Sequence, residues 1–388
     1  MKFTNNPFVS AMALSLVVLS SSDGGTIWDG GQTTGSIKDG IDRANNWNGN
    51  VVNALNGTTA AEFSTAGTEA VINVNASFTG VTINSAATFA ITNGTGSLTI
   101  GSGGVTVTLP STTGITHTIS ESSLILGANQ NWSVTNKTGL AQLNVSSVIS
   151  GSGLGINKTG DGTLQLSGAN TYTGATTIKA GTLQLLTGGS LASLSIIVGD
   201  TGSTGAVLDA ITSGLIVASG QTVSGIGTIK GSTTIQSGGV ISPGNSAGIL
   251  TNLGNISLDP NSTFQAEING IIAGTGYDQL NVTGATSTAT LAGMLSVTTG
   301  FTPTTGSLFF LVDNDGPNAI SGVFSNASIN GNTYTFGSQQ YAISYFGDYG
   351  TTSFTGGNDV VLMAVPEPGA ALLGGLGVLL LLRRRRNG

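Results

Sequence analysis

The pentapeptide GTLQL occupies residues 162–166 and recurs at residues 181–185, nineteen positions on. In each copy the leucines alternate with Thr and Gln, and the stretch leading into the second copy, TTIKAGTLQL (176–185), keeps the same alternation. A period of two with Gly as punctuation is strand patterning, one face apolar and the other polar. A second pair of segments tells the same story. GSLTIGSGGV (96–105) and GSTTIQSGGV (231–240) agree at eight of ten positions. Runs such as GVTVTL (104–109) and SGIGTIKGSTTIQSGG (224–239) again alternate for four to six positions before Gly breaks them. A repeat near 19 residues fits one coil of a parallel β-helix, in which short strands lie on successive faces and each coil stacks on the next. Leu, Ile and Val then point inward. Thr, Ser and Asn point outward, forming an uncharged, hydrogen-bonding wall.

Composition agrees. Charged residues are 7% of the 388-residue chain, against about 25% in ordinary soluble domains. Glycine reaches 61 residues and proline only 8. Hydrophobic residues at 39% separate the chain from disordered acidic segments. The net charge is −7, and four of the 11 basic residues are Arg383, Arg384, Arg385 and Arg386. Phosphate neutralisation needs clustered Lys and Arg along the body, so nucleic acid is excluded as a partner. The absence of cysteine removes disulfides, thiolate chemistry and zinc–sulfur sites.

The two ends differ from the body. The first 22 residues hold Lys2, an apolar run from Phe8 to Leu19 and the small residues Ser20, Ser21 and Ser22. This is the order of a secretory signal peptide, with cleavage expected near Ser22. At the other end, residues 364–388 contain Val365, Pro366, Glu367 and Pro368, then an apolar stretch at 369–382 and the four arginines. As a helix those 14 apolar residues reach roughly 21 Å, short of a hydrocarbon core of about 30 Å. The arginines are expected to stay at the cytoplasmic face.

Pro-Glu-Pro at 366–368, the apolar stretch and the arginine cluster resemble the PEP-CTERM sorting signal. The resemblance implies recognition and removal by an exosortase, a membrane protease-transpeptidase of Gram-negative bacteria that make exopolysaccharide. It also implies transient anchoring in the inner membrane through a short C-terminal membrane helix. The plain alternative is a single-helix tail anchor.

The centre carries a second resemblance. Residues 149–185 contain Lys158, Gly160, Gly162-Thr163-Leu164, Leu166-Ser167-Gly168, Asn170-Thr171-Tyr172-Thr173-Gly174 and Thr176-Thr177-Ile178. They look like the autotransporter-associated β-strand repeat, with Gly155-Ile156-Asn157 as a small departure. IWDGG (27–31), ANNWNG (44–49) and AAEF (60–63) resemble the usual start of proteins with this repeat, where Trp28 and Trp47 would cap the first coil. SPGNSAGILT (242–251), GTGYDQLNVTG (274–284) and NDVVLMAV (358–365) resemble later coils of such proteins.

The expected fold is therefore all-β: a right-handed parallel β-helix over 23–300, an antiparallel β cap over 301–363 and the sorting signal with its membrane helix beyond. The cap is expected because aromatic residues become denser from Phe301 on, and because an open solenoid end exposes unpaired backbone.

No catalytic residue, metal ligand or cofactor site is assigned. Outside the tail, Arg43 is the sole arginine and His117 the sole histidine. Asp161, Asp200, Asp209, Asp259, Glu267 and Asp278 stand singly, without the paired carboxylates of a glycosidase. His117, in the alternating run GITHTIS (114–120), reads as a structural wall residue, and DNDG (313–316) as a turn capped by Asp side chains rather than a calcium loop. Sequons such as those at Asn131, Asn144 and Asn281 follow from composition. The expected function is non-enzymatic: an exported β-helical protein of the cell surface or extracellular matrix, structural or adhesive, with exopolysaccharide or envelope components as partners. The alternatives are a carbohydrate-active β-helix enzyme and a tail-anchored periplasmic spacer.

Overall fold

A computed structural model describes residues 26–28 and 60–366, apart from 64–68, 73–74, 86–87, 94–96, 109–114, 136–140, 328–332 and 338. The described secondary structure is β throughout. From Thr116 onward the chain visits three faces in turn. A strand of one sheet (Thr116–Ser120) is followed by a short strand on a third face (Leu124–Leu126), then by a strand of the opposite sheet (Gln130–Thr135), and the cycle restarts at Gln142–Val145. The coils stack in parallel, so each strand pairs with its counterparts one coil before and one coil after. This is the arrangement of a β-helix.

Two 14-stranded sheets form the long walls. The first begins at Thr26–Trp28 and ends at Met294–Thr299; the second begins at Glu69–Ile72 and runs through Thr163–Leu166 and Ala180–Leu185 to the C-terminal strands. A third, five-stranded sheet runs from Leu215–Val217 to Ser321–Gly322. The two GTLQL copies lie directly on each other, Thr163 on Thr182 and Gln165 on Gln184. Nineteen residues is the shortest coil in the second sheet. Gln142 sits beneath Thr163 at 21 residues and Leu280 beneath Val312 at 32. The excess residues lie in the connections, which tolerate length changes at small entropic cost.

Inward positions build one continuous core. In the second sheet Ile119, Val145, Leu166 and Leu185 form a buried column. Each such side chain contributes about 1.5–3 kcal/mol by leaving water. In the first sheet the corresponding column reads Val105, Trp132, Lys158, Ile178 and Val198.

The third face changes character along the chain. Near the N-terminus it is continuous with the first sheet: strand Leu98–Thr108 pairs through Leu98–Ile100 with Leu124–Leu126 and through its second half with Gln130–Thr135. Around residues 169–190 it narrows to a single parallel bridge, Ala169 with Ser190. There the Asn170 side chain replaces strand pairing, accepting the N–H of Ile149 at 3.0 Å and donating to the Ser190 carbonyl at 3.0 Å. From Leu215 on, the third face is a sheet of its own.

At the C-terminal end the pairing turns antiparallel. Strand Leu308–Asn314 continues the second sheet in parallel, then pairs antiparallel with Asp359–Val365, which pairs antiparallel with Gln339–Gly347. Phe309 lies edge-on to Tyr277, Phe301 and Tyr341 with centroids 5.5–6.2 Å apart, plugging the core. The first sheet ends at Met294–Thr299, and the Asn326 side chain satisfies that edge at Leu295, accepting its N–H and donating to its carbonyl.

The expected signal peptide at 1–22 and the membrane helix at 369–382 lie outside the described residues. Among the described residues, no helix is long and apolar enough to cross a membrane.

Candidate functional site

The outward face of the second sheet carries two parallel columns of polar side chains. In one, Thr116, Gln142, Thr163 and Thr182 stack in register. The Thr116 hydroxyl donates to Gln142 Oε1 at 2.9 Å. After Val207 the column resumes with Thr228 and Thr251. In the other, Thr118, Asn144, Gln165 and Gln184 stack, followed by Asp209 and Lys230. Gln165 Nε2 donates to Gln184 Oε1 at 2.8 Å, and Gln184 Nε2 donates to Asp209 Oδ2 at 3.1 Å. The amides therefore point one way along the stack axis, held by their neighbours. The face exists because the strands alternate mostly apolar side chains inward with mostly polar ones outward, and because the parallel register repeats that choice coil after coil.

Behind this wall the core holds charged and polar groups with no counterpart in a plain apolar stack. Lys158 is fully buried, its stem between Trp132 and Ile178. Its ammonium donates to three backbone carbonyls, Thr159 at 3.0 Å, Gly160 at 2.9 Å and Ala180 of the next coil at 3.1 Å. All three donors are used, so the buried charge is supported by carbonyl oxygens. Burial lowers its pKa to about 8, opposed by the nearby Asp161 charge. Two residues on, Gly160 has φ of +76°, and a Cβ there would meet the Val134 carbonyl. Tyr172 is also fully buried, its hydroxyl 2.7 Å from that of Thr176.

His117 faces inward rather than forming part of the outer wall, because it shares the parity of Ile119. Its Nδ1 accepts the Phe89 N–H at 3.1 Å, which places the ring proton on Nε2, and burial lowers its pKa. Glu121 is buried with both carboxylate oxygens unpartnered, and desolvation raises its pKa to about 8.

Of the acidic residues that looked solitary in sequence, Glu267 and Asp278 come together, and a second group joins Asp313, Asp315 and Asp359. Asp278 accepts the N–H of Gly248 at 2.9 Å and that of Glu267 at 2.8 Å, closing two loops; burial lifts it to about 7. Asp313 is lifted to about 7 by burial, with Asp315 and Asp359 adding repulsion. In DNDG, Asp313 and Asn314 lie in the strand rather than in a turn. The cap comes from Asp359, which accepts the N–H of Asn314 at 2.8 Å and of Tyr349 at 2.7 Å. Among the described residues, no group of three His, Cys, Asp or Glu is placed to hold a metal ion. An open cleft of about 400 Å³ beside Ile226, Ile249 and Ala273 has no titratable side chain in its lining.

Residues 156–185 match the family model described as a passenger-associated-transport-repeat. The match begins at the strand that carries Lys158 and ends with the second GTLQL, so it spans the buried ammonium, the Tyr172 hydroxyl and both stacked glutamines. No curated protein matches the chain.

Of the expected sorting residues, Val365 is the last residue of strand Asp359–Val365; it pairs with Gln340, and its carbonyl accepts from Gln339 Nε2 at 2.8 Å. Pro366 follows, exposed. Glu367, Pro368, Arg383, Arg384, Arg385 and Arg386 lie outside the described residues, as does Trp47. Sequence reasoning matched Lys158 to the repeat but gave it no role. The available signal was its parity with Ile156 in the run INKT, which places both on the inward side.

Proposed function

We propose that the chain is an exported β-helical protein of the cell surface or extracellular matrix, non-enzymatic, with a structural or adhesive role. The observation that carries this reading is the passenger-associated-transport-repeat seated within a parallel stack whose outer wall is mostly uncharged hydrogen-bonding side chains. A stack of this kind gives length and stiffness without helices, and its wall interacts with polyhydroxylated material without fixed charge. The coils wind right-handed, the hand that parallel crossover connections take almost without exception.

The tail is the second part of the proposal. The signal at the N-terminus starts export. Val365 to Pro368, the apolar stretch at 369–382 and the four arginines then hold the chain in the inner membrane until an exosortase cleaves beyond Val365. A strand that ends at Val365 supports this reading, since cleavage beyond it would leave the last sheet intact. Fractionation of the host with mass analysis of the mature C-terminus tests the proposal. Expected are an envelope or extracellular location and a mature chain lacking Arg383 to Arg386. A chain with the intact arginines rejects exosortase processing, and a cytoplasmic chain rejects the surface role.

A further inference from the structure

We infer that the outward strip of the second sheet is a lengthwise binding site for one chain of a neutral polysaccharide; this rests on the surface-protein reading above and names the partner. The strip spans seven successive strands, from Thr116–Ser120 to Ile249–Leu253. At about 4.8 Å per strand and about 6.6 Å between the two outward side chains of a strand, it is about 29 Å long and narrow. Its footprint is on the order of 200 Å², far below the ~800 Å² per partner of a stable protein interface. A second copy of the chain, or any globular partner, therefore gains too little here. A single extended polymer laid along the stack axis touches every coil.

The chemistry selects which polymer. A polypeptide strand adds to a sheet through backbone groups, but on this face those groups are committed to the neighbouring coils. An anionic polymer meets no net positive charge: Asp209 and Lys230 occupy adjacent coils in register and cancel, and the whole chain is at −7. What remains are Thr hydroxyls and Asn and Gln amides, each offering donor and acceptor at once, interrupted by Val207 and, in the last strand, by the exposed Leu253. The Gln165–Gln184–Asp209 chain of hydrogen bonds holds the amides in place before a ligand arrives, so less side-chain entropy is lost on binding. Repeated hydroxyl groups on a neutral glycan chain meet this repeated array, and affinity accumulates coil by coil.

The test is calorimetric titration of the full chain with cellohexaose, cellobiose and hexagalacturonate. Cellohexaose is expected to bind at least tenfold more tightly than either of the others. The double variant Gln165→Ala/Gln184→Ala is expected to lose at least tenfold in affinity for cellohexaose. Thr234→Val/Ser257→Ala, on the outer face of the third sheet, is expected to change it by less than twofold, and circular dichroism checks that both variants stay folded. Equal losses in the two variants, or preference for hexagalacturonate, overturn the strip. Absence of cellohexaose binding by a chain that fractionates with the envelope overturns the ligand assignment while leaving the surface role intact; a cytoplasmic chain overturns that role itself.

Discussion

Residues 96–105 and 231–240 are nearly the same sequence, yet 97–105 and 232–240 take two different structures. In the first, LTIGSGGVTVT is one strand, Leu98–Thr108, and the GSGG segment bulges where Gly101 to Gly103 face Thr79 alone. In the second, Thr233–Ile235 belongs to the third sheet and Val240–Pro243 to the first, with a tight turn closed by the Gly239 N–H on the Gln236 carbonyl. The left-handed glycine moves by one position, from Gly104 (φ +64°) to Gly238 (φ +79°). That shift inverts the face of the next residues: Val105 is buried, whereas its equivalent Val240 faces outward and Ile241 takes the core. One position where the two differ sits at the corner. A Cβ at Gly101 would stand 3.1 Å from the Thr79 carbonyl oxygen, so glycine lets the strand pass close to its neighbour, whereas Gln236 is exposed on its turn. A corner in this fold is thus set by which glycine takes positive φ.

Substitution at the two glycines should separate the regions most. Gly104→Ala drives a Cβ into the Asn131 carbonyl at an unfavourable φ and is expected to cost about 3–4 kcal/mol. Gly238→Ala meets mainly the Ser219 side chain and is expected to cost about 1 kcal/mol. Urea denaturation of each variant gives the comparison, and equal costs would break it.

Lys158→Met comes next. It keeps the stem packed on Trp132 but takes the ammonium away from three half-buried carbonyls, with an expected loss of about 2–3 kcal/mol in the same measurement. A neutral or stabilising result would mean that removing the buried charge outweighs its hydrogen bonds.

The third contrast is between two buried acids. Asp278, in the C-terminal coils, has a backbone N–H on each oxygen, whereas Glu121, in the N-terminal coils, has none. The folded pKa of Glu121, about 8, lies above the ordinary 4.5, so the folded state holds the proton more tightly than the unfolded state. The stability linked to that proton is full below about pH 4.5 and is lost as pH rises through about 8. Urea midpoints measured between those values should fall in the native chain and fall less in Glu121→Gln. Identical profiles would remove Glu121 from the account. The smallest effect is expected for Gln184→Ala, under about 1 kcal/mol, since its ladder bonds lie on the wetted wall.

Much of this fold is legible in sequence because parallel stacking repeats one local rule. The alternation in GTLQL already separates Leu164 and Leu166 from Thr163 and Gln165, and the repeat at nineteen residues brings like onto like. Three things escape that rule. The one-residue face change at Val240 is invisible because GSGGV and QSGGV read alike. Lys158 and His117 are inward by parity but polar by type, and pattern reading tends to weigh type first. The Asp359 cap on Asn314 joins residues 45 apart, with no local trace. The polar strip was legible as a composition, but its continuity depends on register, which only the stacked coils reveal.

The central claim is that register, with Gln165 directly on Gln184. The chain has no cysteine, so Gln165→Cys/Gln184→Cys introduces a single pair. Neighbouring Cα atoms about 4.8 Å apart suit a disulfide, whereas the diagonal pair Gln165→Cys/Thr182→Cys, at about 8 Å, does not. Mild oxidation followed by mass analysis should show a rapid cross-link in the first variant and little in the second. Failure of the first pair to cross-link, or faster closure of the diagonal pair, would contradict the stacked coils on which the account stands.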